Sequence, residues 1–246
     1  MKARLSFAIC LLAACSGSGN NNGGDDTGDM PDAKVFMDAP PVVPGSITLN
    51  GNVSEQGLSS KSPVSGASIA LYANSDQQHP LAMTTTNAQG DYSMTVMTSG
   101  AIDGYMVATM SGYVDLYFYP TEPFAGNYTD GDMNMITPNN KNLLSQFSGG
   151  SQMAGKGLIA LAVLDANDMP VTGATVSSMP AASAYRYNGN TGIPSNSAAM
   201  TGADGVAFMF NVSGPVTVTA SKSGMTFKSH VVEARADKMT TTAVAP

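Results

Sequence analysis

The chain repeats itself. Three short blocks occur twice, in the same order, between residues 45 and 246. Pro63-Val64-Ser65-Gly66-Ala67-Ser68-Ile69 is matched by Pro170-Val171-Thr172-Gly173-Ala174-Thr175-Val176. Thr86-Asn87-Ala88-Gln89-Gly90-Asp91-Tyr92 is matched by Thr201-Gly202-Ala203-Asp204-Gly205-Val206-Ala207. Val107 to Gly112 is matched by Thr219 to Gly224. The offsets run from 107 to 115 residues, so the insertions fall between blocks. A repeat of this length means two copies of one supersecondary plan.

Each block reads as a turn feeding a strand. Gly66 and Gly173 turn the chain into alternating runs, Ala67, Ile69 and Leu71 in one copy, Ala174 and Val176 in the other. The second block is a polar turn ending in Gly, followed by Tyr92, Met94 and Val96 or by Val206, Phe208 and Phe210. Ile47 to Val53 and Ile159 to Val163 read as opening strands, and no window longer than ten residues after the N-terminal region favours a helical period. Gly 26 and Pro 14 in 246 residues also suit short strands and many turns. The expectation is an all-β chain of two tandem β-sandwiches, 45–149 and 150–246.

These blocks resemble the carboxypeptidase regulatory-like domain, a transthyretin-like sandwich, over about Ser46 to Tyr113 and again over about Leu158 to Met225. Met225 stands where that family has a final aromatic residue. Asp165, Pro170-Val171, Gly173, Thr201, Gly205 and Val216 to Ala220 equally resemble the Ig-like repeats of invasin-type bacterial surface proteins. Both resemblances imply a sandwich, and neither implies an activity.

The N-terminus gives an address. Lys2 and Arg4 precede an apolar run, Leu5 to Ala14, interrupted by Ser6. Ten helical residues rise about 15 Å, half of a bilayer core, so this is a secretory signal and not a span. Leu12-Ala13-Ala14-Cys15 resembles the lipobox of bacterial lipoproteins, which implies cleavage after residue 14 and a diacylglycerol on the Cys15 sulfur. Each buried methylene contributes about 0.8 kcal/mol, so two or three acyl chains anchor a protein stably. In the same family an Asp after the cysteine implies inner-membrane retention; Ser16 therefore points to the outer membrane of a bacterial envelope. Residues 15–44, rich in Gly, Asn, Asp and Pro with Lys34 as the one cation, read as a disordered acidic tether.

Composition excludes several functions. Charged residues are 12% of the chain, about half the usual share, with a net charge of −7. Residues 45–149 hold eight acidic and two basic side chains, which opposes binding to nucleic acid. The two cysteines, Cys10 and Cys15, leave no disulfide in the mature chain. Neither His79 nor His230 sits in a zinc or nucleophile motif, and no phosphate-binding glycine loop is present, so we expect no cofactor, no metal and no catalysis. A triad assembled from distant strands is the one catalytic arrangement that sequence leaves open. Asp130-Gly131-Asp132-Met133-Asn134 alternates oxygen ligands but lacks the downstream Glu of a calcium loop and reads as an acidic turn. Of the 17 Met residues, Met94, Met106, Met110, Met133 and Met209 fall in or beside strands and read as flexible core filler rather than as metal ligands.

One stretch suggests a ligand. In Tyr113-Val114-Asp115-Leu116-Tyr117-Phe118-Tyr119, strand alternation puts Tyr113, Tyr117 and Tyr119 on one face. Such a face stacks on sugar rings if exposed, and packs under the following loop if not. The expected function is a non-catalytic envelope module whose partners are the membrane, through its anchor, and envelope proteins; a glycan- or peptide-binding surface on these tyrosines is the alternative.

Overall fold

The computed structural model describes residues 45–57, 61–188 and 194–246. Cys15, the signal and the tether lie outside the described residues. What is described is all-β apart from one helix, and it falls in a single compact unit.

The first half contains β1 (Ser46–Gln56), β2 (Lys61–Pro63), β3 (Ser68–Ala73), β4 (Ala82–Thr85), β5 (Asp91–Met97), β6 (Gly104–Thr109), β7 (Leu116–Phe118) and β8 (Met133–Met135). Helix α1 (Pro138–Ser148) follows. The second half contains β9 (Gly157–Val163), β10 (Thr175–Met179), β11 (Ala184–Asn188), β12 (Pro194–Ser195), β13 (Val206–Val212), β14 (Gly214–Ser221), β15 (His230–Ala234) and β16 (Met239–Val244).

The repeat is a repeat of hydrogen bonds. The Thr86 hydroxyl donates to the Val64 carbonyl at 2.6 Å and accepts from the Ala67 N–H at 2.9 Å. The Thr201 hydroxyl does the same with Val171 and Ala174, at 2.6 and 2.9 Å. Both threonines are buried, and one side chain in each copy ties the first block to the second. Gly90 and Gly205 both have positive φ, 80° and 68°. Their carbonyls accept from the Val53 and Val163 N–H groups at 2.7 and 2.9 Å. A Cβ at Gly90 would sit on the Val53 carbonyl oxygen, so the turn needs glycine for conformation and for space.

Three sheets result. One is four-stranded, β2-β1-β5 with β8 added parallel to β1. A second is β10-β14-β15. The third runs through both halves as β12-β11-β13-β9-β16-β7-β6-β3-β4. Strand β16 makes this possible: it pairs in parallel with β7 on one side and β9 on the other. Alternation then splits the core. Ile69, Leu71, Met106, Ala108 and Leu116 face the four-stranded sheet, and Leu158, Phe208 and Phe210 join that cluster from the second half. Ile159, Leu161, Val163, Ala207 and Met209 face the three-stranded sheet on the opposite side, joined by Tyr105, Val107 and Tyr119 from the first half. Each half therefore lends residues to the other's core.

Helix α1 departs from the expectation of no helix outside the signal. Thr137 caps it, its hydroxyl accepting from the Asn140 N–H at 3.2 Å, and Pro138 opens the first turn. Gly149, with φ 61°, ends it in the left-handed conformation. Its apolar stripe is thin, Leu144 packing on the core and Phe147 largely exposed, so periodicity alone does not reveal it. A cleft of about 480 Å³ remains between α1 and the sheet residues Ala160, Ala162, Val206 and Phe208.

Candidate functional site: an arginine held in a tyrosine cluster

The three tyrosines singled out above do not share a face. Tyr113 lies before β7 in a turn, where its N–H donates to the Met110 carbonyl at 3.1 Å. That turn breaks the alternation assumed for an unbroken strand, and the Tyr113 ring packs on the first core, its hydroxyl donating to Glu55 at 2.8 Å. Tyr117 and Tyr119 face the other way, with Tyr119 only 3% exposed. The strand itself covers three residues, Leu116–Phe118, so the expected platform of Tyr113, Tyr117 and Tyr119 is not assembled.

A different cluster is assembled. Tyr72 on β3 and Tyr105 on β6 are direct cross-strand partners and stack with ring centres 5.6 Å apart. Tyr105 also stacks on Tyr119 at 4.9 Å, and Tyr117 leans on it at 6.0 Å. Arg235, at the end of β15, enters this group. Its guanidinium lies 4.2 Å from the Tyr117 ring centre and 4.8 Å from that of Tyr105. It donates to the Tyr119 hydroxyl at 2.9 Å and to the Gln77 side-chain oxygen at 3.0 Å. Rings from the first half thus surround a cation from the second.

The chain around Arg235 is pinned elsewhere as well. Lys238 pairs with Asp115 at 2.5 Å. The Asp237 carboxylate accepts from the Gly155 N–H at 3.0 Å, and its carbonyl accepts from the Lys141 ammonium at 3.3 Å. The Asp115 carbonyl accepts from the Met239 N–H at 3.1 Å, and the Lys238 carbonyl from the Leu158 N–H at 3.1 Å. Residues 235–239 therefore form the corner at which the chain leaves the three-stranded sheet and becomes β16, fastened to both halves.

Electrostatics agree with a closed structural cluster. Burial pushes Tyr105 up to about 12, with Arg235 opposing the rise. Burial also raises Tyr117 and Tyr119, again against the pull of Arg235. For Arg235 burial acts downward, but the Tyr119 hydrogen bond and the surrounding rings outweigh it, and the group stays charged. The Glu55 hydrogen bond, with burial second, raises Tyr113 on the other side of the sheet.

His79 is exposed and pairs with Asp76 at 3.0 Å. His230 is half-buried beside Glu122, Asp165, Asp168 and Lys228 in a cleft of about 270 Å³, and its Nε2 has no hydrogen-bond partner among the described residues. Burial lowers its pKa. Among the described residues no three His, Cys, Asp or Glu side chains converge as a metal site. The acidic turn at 130–134 is structural, the Asp132 carboxylate accepting from the Asn52 N–H at 2.8 Å. No described helix is long and apolar enough to cross a membrane.

Sequence reasoning missed Tyr72, Tyr105 and Arg235. Tyr72 and Tyr105 each stand alone in their strands, and Arg235 is 116 residues from Tyr119. The available signal was a cation at the foot of a strand in a chain poor in charge.

No family model matches the chain. No curated protein matches it either. Among solved structures the chain is similar to the Bacillus anthracis TIE protein, at 11% identity and a TM-score of 0.27, covering 81% of this chain and 34% of that one. It is similar to GBS52, the minor pilin of Streptococcus agalactiae, at 11% identity and a TM-score of 0.27, covering 81% and 94%. It is similar also to the shaft pilin SpaA of Lactobacillus rhamnosus GG, at 10% identity and a TM-score of 0.23, covering 82% and 97%.

Proposed function

We propose that this protein is a non-catalytic, lipid-anchored module of the bacterial cell envelope, whose folded part is a stiff spacer or interaction unit. One observation carries the reading. Strand β16 is hydrogen-bonded on both sides, to β7 and to β9, and so joins the two sandwich halves through one sheet. A hinge between two domains is an ordinary outcome of tandem modules. Here the ladder and the Arg235 cluster replace it with paired backbone and packed rings.

A stiff body on a polar tether suits holding a surface at a set distance from a membrane. The tether of residues 15–44 would extend by self-repulsion and keep the folded part some tens of ångströms from the bilayer. The Cys15 motif supplies the anchor, and Ser16 favours the outer membrane. Envelope proteins are the partner class in this reading. Nothing in the cluster around Arg235 offers a glycan platform, since Tyr119 is buried and Tyr117 is covered by the guanidinium.

The test is fractionation of cells producing the full chain or Cys15→Ala. The wild-type protein is expected in the membrane fraction and to incorporate labelled palmitate; Cys15→Ala is expected in the soluble fraction, unlabelled. Retention of Cys15→Ala in membranes would sink the anchoring claim.

A further inference from the structure

Methionine is distributed unlike the other large apolar residues. Among the described residues nine large apolar side chains are between 48 and 81% exposed, and six of them are Met83, Met97, Met153, Met169, Met179 and Met200. Leu, Val and Phe supply one each, Leu81, Val231 and Phe147. Six other methionines, Met94, Met106, Met133, Met135, Met209 and Met239, are in the core, none above 6% exposed. Among the described residues methionine is thus divided between interior and surface.

The exposed set lies on outer strands and in loops. Met83, Met97 and Met179 stand on β4, β5 and β10, the outer strands of three different sheets. Met153, Met169 and Met200 stand in loops. The fold uses the backbone of two of these: the Met153 N–H donates to Asn211 at 2.6 Å and the Met169 N–H to Asp165 at 3.0 Å. All six of the exposed methionines are more than half exposed. The two cysteines of the sequence, Cys10 and Cys15, lie outside the described residues.

A thioether sulfur is a soft nucleophile that takes one oxygen atom from a two-electron oxidant. The added oxygen makes a polar sulfoxide. At an exposed site that group is hydrated at once. At Met106, whose Sδ lies 3.6 Å from the buried Tyr92 hydroxyl, it would place a strong dipole inside the core. Burial also keeps the oxidant from that sulfur.

We propose that the six exposed methionines are oxidation sites, a surface store of reducing sulfur that consumes peroxide or hypohalous acid with the fold intact. With hydrogen peroxide, a sulfur lone pair attacks one peroxide oxygen and the O–O bond breaks. The sulfur is oxidised to the sulfoxide, and the leaving hydroxide takes the remaining proton as water. Two thiols of a sulfoxide reductase reverse the step, yielding the thioether, a disulfide and water.

The experiment treats the full chain with hydrogen peroxide and follows each methionine by peptide mass mapping, with circular dichroism on the same samples. Expected are oxygen additions at Met83, Met97, Met153, Met169, Met179 and Met200 at least about ten times faster than at the six core methionines, and an unchanged thermal midpoint once all six are modified. Equal rates at core and surface sites overturn the proposal, and so does unfolding on modification of the surface set. A variant with all six exposed methionines changed to Leu is expected to keep its thermal midpoint and to consume six fewer equivalents of peroxide while folded. Unchanged consumption by that variant also overturns it.

Discussion

Replacing Arg235 by Ala probes the joint between the halves. The guanidinium makes a charge-assisted hydrogen bond to Tyr119 and another to Gln77, and lies over the rings of Tyr117 and Tyr105. A hydrogen bond to a charged group contributes about 1.5–3 kcal/mol when shielded, and a cation over a ring about 0.5–1 kcal/mol at an accessible site. Gln77 is exposed and Arg235 partly so, and the Gln77 bond is therefore counted at the low end. These contributions overlap, and burial of the charge costs part of the gain, so we expect a loss of about 2–4 kcal/mol. In a folded unit of this size each kcal/mol shifts the thermal midpoint by about 2–4 °C, giving a fall of roughly 4–16 °C. Arg235→Lys keeps the charge but not the planar fork, and should recover part of the loss. The assay is thermal and urea unfolding followed by circular dichroism. A change below about 2 °C for Arg235→Ala would refute the reasoning, since it would mean that the rings hold the corner without the cation.

Two further outcomes follow from the same geometry. Thr86→Val and Thr201→Val each remove one hydroxyl that satisfies a buried carbonyl and a buried N–H; each should cost about 2–4 kcal/mol, Thr→Ser at either site much less, and urea midpoints check it. Burial pushes Tyr105 and Tyr128 up to about 12, against about 10 in the unfolded chain. The unfolded state therefore loses these protons first: their contribution to stability is whole below about pH 10 and is lost as pH rises toward about 12. A urea midpoint that stays level from pH 9 to pH 11.5 would contradict this.

The parts of the fold readable from sequence are those made by near neighbours. Gly90 and Gly205 end turns closed within one block, their N–H groups donating to the Asn87 and Gly202 carbonyls, and the alternation of Tyr92, Met94 and Val96 marks a strand wherever its partner lies. The same blocks contain Thr86 and Thr201, legible as repeated positions, though their task as buried ties shows only in space. Strand β16 was not legible: Met239-Thr240-Thr241-Thr242-Ala243-Val244 has ordinary strand character, and nothing in it names β7 and β9 as partners. Tyr113 failed for a local reason, because the turn through Met110 resets the alternation before β7 begins. The Arg235 cluster failed for a global one, its members meeting only after both halves are in place.

The central claim is that β16 and the Arg235 corner make the two halves one mechanical body. Native-state hydrogen exchange of the full chain, read by peptide over increasing urea, tests it most directly. The account predicts that amides of β3 and β6, of β9 and β13, and of β16 open with one shared free energy and one shared denaturant dependence. Opening of the β9 and β13 amides at a free energy lower than that of β3 and β6 by more than about 2 kcal/mol would contradict it, because the halves would then be separate bodies sharing only a chain.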